Sequence, residues 1–179
     1  MRKKIVILFI MMLAFTCNVK AQKNRYSYHN IGYWGNIEAV GGTLFTGGSD
    51  IGVSTVHGAR LGNGLAMGIG VAVYCDINEL YYEYSVPIFL ETKYSPFKSG
   101  KSPYISLRTG FSVNDYHYTG FYLSPSIGVD IDRLSLFVRY GMNLYPMNID
   151  IDIPGFDIEA NTNVNIKTHT LSVGVAVNF

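Results

Sequence analysis

The side chains in this sequence with the most chemistry to offer are five charged ones, Glu38, Glu91, Lys93, Arg108 and Arg139. Each lies in a stretch where apolar and polar residues alternate, and each takes the polar phase of that alternation. Carboxylates and cations gathered on one inner surface can line a pore, hold a polar solute, or neutralise one another as a network. Acyl transfer is a different chemistry and needs a nucleophile, a base and an orienting acid together. The candidates are His117 or His169 with Ser124, Ser126 or Ser172, but His117 falls in a connection and His169 has the opposite phase to Ser172. Asp150, Asp152, Asp157 and Glu159 suggest cation ligands, yet they lack the Asp/Asn ladder, glycine and closing glutamate of a calcium loop. These spacings lead us to expect no catalytic residue, no metal and no cofactor.

What positions the charged groups is a succession of strands. Cutting the chain at its Gly, Asn, Asp, Pro and Ser clusters leaves segments at 31–41, 49–61, 65–75, 84–96, 103–114, 119–132, 133–146 and 164–179. The more apolar phase of each segment, taken from Leu171 onward in the last, holds no Asp, Glu, Lys or Arg, as in Leu65/Met67/Ile69/Val71/Val73 and Leu134/Leu136/Val138/Tyr140/Met142/Leu144. The other phase carries Glu38, Asp50, Arg60, Glu91, Lys93, Arg108, Asp130, Asp132 and Arg139, interleaved with Gly and Ser. A soluble sandwich or lipocalin would face its polar phase outward to water. An apolar outside around a crowded polar inside is the arrangement of a membrane barrel.

Hairpin geometry tests that assignment independently of the choice of phase. The turn around Lys98–Gly100 sets Glu91 opposite Arg108, and Asp132-Arg133 sets Ser126 opposite Arg139. A two-residue turn at Pro154-Gly155 would set Arg139 opposite Thr170. All three pairings keep charged residues on the inner face. His57 breaks the pattern by falling on the outer phase, which an imidazole tolerates near an interface or after a bulge.

The N-terminus carries a basic stretch Arg2-Lys3-Lys4, an apolar run from Ile5 to Phe15, and Ala21 before Gln22, the layout of a cleaved export signal over 1–21. Lipidation at Cys17 is disfavoured by Phe15 in the approach to it. Removing Arg2, Lys3, Lys4 and Lys20 lowers the formal net charge of +1 to about −3, which leaves no basic patch for nucleic acid. Cys75 remains without a partner cysteine and reads as a small apolar residue. No later apolar run is long enough for a spanning helix. The expected organisation is a periplasmic N-terminal segment at 22–30 and one barrel domain at 31–179. Short connections on alternate junctions place both termini in the periplasm, with 42–48, 76–83, 115–118 and 147–163 on the outside. Tyr82 and Tyr84 near one rim and Tyr94 near the other fit aromatic girdles.

The export signal, the lipid-facing alternation and a final strand of Leu171, Val173, Val175, Val177 and Phe179 resemble the small OmpA/OmpX-like outer-membrane β-barrels of Gram-negative bacteria. The segments GYWGNIEAVGG, STVHG, YSVPIFLETKYSPF and GFYLSPSIGV look like a single-domain barrel family of unassigned role. The resemblance implies a closed eight-stranded antiparallel transmembrane barrel, all-β in class. It also implies that the five terminal residues named are the signal read by the barrel assembly machinery.

Two functional expectations follow. Eight strands leave an interior only just wide enough for its own side chains, so the five lumen charges are expected to form a structural plug rather than a porin-like channel. The protein would then be a monomer in outer-membrane lipid, structural or surface-interacting through its outer loops, with an extracellular partner as the implied contact. The second expectation concerns 147–166, where Ile149, Ile151, Ile153, Phe156, Ile158, Val164 and Ile166 keep the lumen phase beyond the membrane. An apolar face over the barrel mouth would pack against other loops, pair with a partner strand, or shelter an apolar ligand. A lipid-modifying enzyme is the weakest alternative.

Overall fold

In lipid a backbone amide has no water to bond to, so strands can cross only if every edge is paired. The computed structural model meets that demand with a closed barrel in the order β1 to β8. It describes residues 28–77, 82–98, 101–115, 118–152 and 159–179, excepting the side chains of 82, 147–152 and 159–166. The strands are β1 (Gly32–Leu44), β2 (Ser49–Arg60), β3 (Leu65–Ile77), β4 (Tyr82–Tyr94), β5 (Lys101–Asn114), β6 (Thr119–Ile131), β7 (Leu134–Asp152) and β8 (Glu159–Asn178). All neighbours are antiparallel, and β1 pairs with β8 from Asn36↔Asn178 to Leu44↔Thr170 to close the sheet.

The faces divide as the alternation requires. Ile69, Ile105, Ile127, Val173 and Val177 are all more than half exposed on the outside, while Glu38, Lys93, Arg108 and Arg139 are buried within. Asp132 takes a left-handed conformation with φ of 54°, which lets two residues reverse the chain between β6 and β7. Its hairpin sets Ser126 opposite Arg139, and the β4–β5 hairpin sets Glu91 opposite Arg108, as the turn positions demand.

The last hairpin differs from its sequence reading in register. Arg139 lies opposite Ser172, not Thr170, and the ladder is described as far as Asp152↔Glu159, with 153–158 outside the described residues. A Pro-Gly pair favours turns whose twist opposes that of two antiparallel strands, so Pro154-Gly155 is ill suited to a two-residue hairpin. The slip is two residues, which preserves the faces of the strand because side chains alternate with a period of two. Strands β7 and β8 also run on as an unbroken ladder well past Leu144↔Lys167, the extension anticipated for this hairpin. The side chains of Ile149, Ile151, Ile153, Phe156, Ile158, Val164 and Ile166 lie outside the described residues.

His57 sits in an unbroken ladder with no bulge on either side. Its Nδ1 is hydrogen-bonded to the Tyr33 hydroxyl and its Nε2 lies 3.1 Å from Thr55 Oγ1. It is close to the end of the barrel that carries the termini, so the interface explanation holds. Its ring lies edge-on to Phe179 at 6.1 Å, and Tyr33 lies 6.3 Å from the same ring. Phe179 exchanges backbone hydrogen bonds with Gly35, whose missing side chain leaves the space the ring fills: a Cβ there would stand 2.5 Å from Phe179 Cε2.

Inside, glycines make room for aromatic rings. A Cβ at Gly174 would run into the Phe137 ring and stand 2.7 Å from Val40. We therefore expect Gly174→Val to lose the closed form, with a cost of about 1–3 kcal/mol for overpacking. Neighbouring Val175→Leu, on the lipid face, should keep it. Heat-modifiable migration of the refolded variants in detergent distinguishes the two.

Candidate functional site

The polar interior is the place where this chain concentrates its chemistry. Its centre is Glu38, which faces the lumen from β1 and is only 3% exposed. Arg108 of β5 reaches it through Nη2 at 2.5 Å, and Arg139 of β7 through Nη1 at 2.8 Å. The Nε of Arg108 donates to Glu91 Oε2 at 2.9 Å, and its Nη1 to Ser54 Oγ at 3.2 Å. Ser54 and Asn36 in turn donate to the two oxygens of Glu38. Two carboxylates and two guanidiniums thus share one fully buried layer and cancel in charge. The guanidinium planes also lie over rings, Arg108 at 4.4 Å from the Phe89 centroid and Arg139 at 4.3 Å from that of Phe137.

Lys93 belongs to a second layer, nearer the termini. Its ammonium donates to Asp130 Oδ1 at 2.8 Å and stands 3.7 Å from the Tyr104 ring centroid. Ser135 donates to the same Asp130 oxygen, and Asn178 Nδ2 donates to Ser135 Oγ at 2.7 Å. Tyr28 completes the layer: its hydroxyl donates to Asn178 Oδ1 at 3.0 Å, and its ring packs edge-on against Trp34. The alternation puts Asp130 on the inner face, but nothing in the sequence marks it, Ser135, Asn178 or Tyr28 as belonging with Lys93. Lys93 and Asp130 stand on β4 and β6, two strands apart, so no hairpin pairing points from one to the other. Tyr28 precedes β1, in the leading segment, and gives no periodic signal of its own.

Toward the opposite end the lumen holds a small polar chamber of about 20 Å³, lined in part by Asp50, Asp76, Asn143, Thr168, Thr170 and Ser172. That volume holds about one water.

The groups considered for acyl transfer do not converge. Ser124, Ser126 and Ser172 are buried in the lumen; Ser126 Oγ lies 2.7 Å from Ser106 Oγ, and Ser172 donates to Asp50 at 3.3 Å. His169 is outside, with Nδ1 2.6 Å from the Tyr140 hydroxyl and the two rings stacked. The barrel wall separates it from those serines. His117 lies outside the described residues. Leu171, Val173, Val175 and Val177 are exposed on the outer face, and Phe179 is half-buried in its slot.

No family model matches the chain, and no curated protein matches it in sequence. Among solved structures the barrel is similar to the outer membrane enzyme PagL, with a TM-score of 0.54 and 13% identity over 78% of this chain and 97% of that one. It is also similar to Neisserial surface protein A (NspA), with a TM-score of 0.51 and 18% identity over 82% and 96% of the two chains. The N-terminal β-barrel domain of Pseudomonas aeruginosa OprF aligns at a TM-score of 0.49 and 12% identity, over 84% and 100%. Likeness at this identity defines a fold. The chain is a small, closed, eight-stranded β-barrel of the outer-membrane kind, OmpA/OmpX-like in architecture.

Removing one partner from a buried ion pair costs about 3–5 kcal/mol because the remaining charge stays desolvated. Arg108 serves two carboxylates, so Arg108→Met should reach the top of that range. Glu38→Gln should cost about as much, since it takes the carboxylate from Arg139, whereas Glu91→Gln, which leaves Arg108 its Glu38, should cost less. Urea unfolding of the refolded variants, followed by loss of the compact band, gives the order.

Proposed function

We propose that this protein is an integral outer-membrane barrel with a plugged lumen, acting as a structural or surface-interaction protein through the loops at the end away from its termini. The observation that carries this reading is the pair of charge-neutral layers inside the barrel. Glu38, Glu91, Arg108 and Arg139 are ion-paired with one another, as are Lys93 and Asp130. With those side chains occupied in holding the wall together, the two layers offer no unpaired charge to guide a solute, and contact with other molecules falls to the two ends.

The end away from the termini supports the same reading. Asp50, Asp76 and Glu83 are consecutive cross-strand partners on β2, β3 and β4, and Asp115 bears on Asp76 as well. Like charges directly opposite one another cost stability, and a cationic partner would relieve that cost. The long β7–β8 ladder projects from the same end. An orientation with both termini in the periplasm sets this acidic end and ladder at the cell surface.

Planar-bilayer recordings on the refolded protein should show no single-channel conductance at voltages that leave the bilayer intact. Regular unitary steps would sink the plugged-lumen reading. For orientation, a cysteine placed at Gly47, with Cys75 replaced by Ala, should react with a membrane-impermeant maleimide on intact cells. A cysteine at Asn63 should react only after the outer membrane is opened, and the reverse pattern would invert the topology.

A further inference from the structure

The buried carboxylates of this barrel have cations against them, with one exception. Four carboxylates are buried among the described residues, and Glu38, Glu91 and Asp130 are ion-paired with Arg108, Arg139 or Lys93. The fourth is Asp50, only 3% exposed, and no cation of the described residues reaches it. The Ser172 hydroxyl donates to its Oδ1 at 3.3 Å. Directly opposite on β3 stands Asp76, on the same inner face and also without a cation among the described residues. A charge taken out of water is retained where it is paired or where it coordinates a metal.

Both carboxylates border the polar chamber of about 20 Å³ at this end of the lumen. Ser124 lines the chamber from β6, fully buried, and its Oγ has no hydrogen-bond partner among the described residues. Asn143 lines it from β7, with a buried Oδ1 that is unpartnered as well. Side chains from four strands thus bring oxygens to a space of about one small ion, and two of those oxygens have nothing in the protein to bond to. Arg139 also borders the chamber and its Nε lacks a partner, but its charge is met by Glu38 at 2.8 Å in the neutral central layer. That leaves the chamber with the charge of its two carboxylates.

We propose that the chamber binds one calcium ion, held by Asp50 and Asp76 with Ser124 and Asn143 supplying neutral oxygens. The donors select the ion. All four are hard oxygen ligands, and no group of three His, Cys, Asp or Glu gathers into a metal site among the described residues, which disfavours zinc and the other transition metals. One divalent ion neutralises both carboxylates, whereas a monovalent ion leaves one unmatched. Magnesium keeps several waters, and a space of about 20 Å³ has no room for them. Two carboxylates with neutral oxygens make a weak site, with a dissociation constant of about 0.1–1 mM. Asp50 and Asp76 meet only through the register of β2 with β3, so spacing along the chain gives no sign of the pair. The ion ties β2, β3, β6 and β7 together across the lumen. It requires the closed barrel alone, whichever way that end faces, and so stands apart from the surface role proposed above.

The test is calorimetric titration of calcium chloride into the refolded full chain, stripped with a chelator, in nonionic detergent and about 0.15 M sodium chloride to screen loose counterions. One ion should bind per chain, and about 10 mM calcium should raise the folded-to-unfolded ratio in urea about tenfold or more. Asp50→Asn/Asp76→Asn should lose both the binding and the calcium effect. In chelator it should be at least as stable as the unsubstituted chain, because the facing like charges are gone. Ser124→Ala keeps both charges and should weaken binding severalfold; it serves as the second variant if the double substitution loses its heat-modifiable band. Asp132→Asn, in the turn at the other end, should bind as before. Absence of saturable binding, binding unchanged in folded Asp50→Asn/Asp76→Asn, or equal binding of magnesium overturns the proposal. Stabilisation by acid with none by calcium would show the two carboxylates sharing a proton, and overturns it as well.

Discussion

Every strand in this barrel needs a partner on each edge, and that single demand governs the rest of the structure. Hydrocarbon cannot hydrogen-bond an open N–H or C=O, so the last strand must find the first. The seam between β1 and β8 is finished by Phe179, whose backbone bonds to Gly35 and whose ring fills the space above that glycine between Tyr33 and His57. Closure from eight strands then fixes the bore. An interior of that width is filled by side chains, and because the more apolar phase of each strand is turned to lipid, the charged groups gather inside among aromatic rings such as Phe89 and Phe137.

The lumen charges follow from closure. A buried Arg108 is tolerable only with carboxylates against it, and the barrel supplies them from opposite walls: Glu91 from the neighbouring strand and Glu38 from across the lumen. Lys93 and Asp130 repeat the arrangement one layer nearer the termini. Each layer is neutral within itself. Toward the ends, one rim carries Lys98, Lys101 and Arg133 and the other Asp50, Asp76, Glu83 and Asp115. A barrel so arranged meets different chemistry at its two ends while its middle holds the wall together.

Much of this architecture is legible in the order of the residues. The period of two places the strand faces correctly, and the Asp132-Arg133 and Lys98–Gly100 turns give the registers of Arg139 with Ser126 and Arg108 with Glu91. These succeed because a hairpin ties partner positions to its turn through local geometry alone. The Pro154-Gly155 pair misleads because the observed ladder is offset by two residues from the one it implies, which moves the register without changing the faces. His57 is legible as an exception but not as a member of the Phe179 slot, because Tyr33, His57 and Phe179 meet only when the first two strands and the last come together.

By itself the sequence determined the class of fold, the facing of each strand and the identity of the lumen charges, since alternation along a strand is a property of neighbouring residues. Which charge meets which was decided only in three dimensions. Arg108 with Glu38, Arg139 with Glu38 and Lys93 with Asp130 join strands that share no turn, and their partners are set by the curvature and stagger that close the sheet. Tyr28 in the mouth and the polar chamber beside Asp50 and Asp76 belong to the same category. Both are shapes made by distant segments brought together, and no spacing along the chain encodes them.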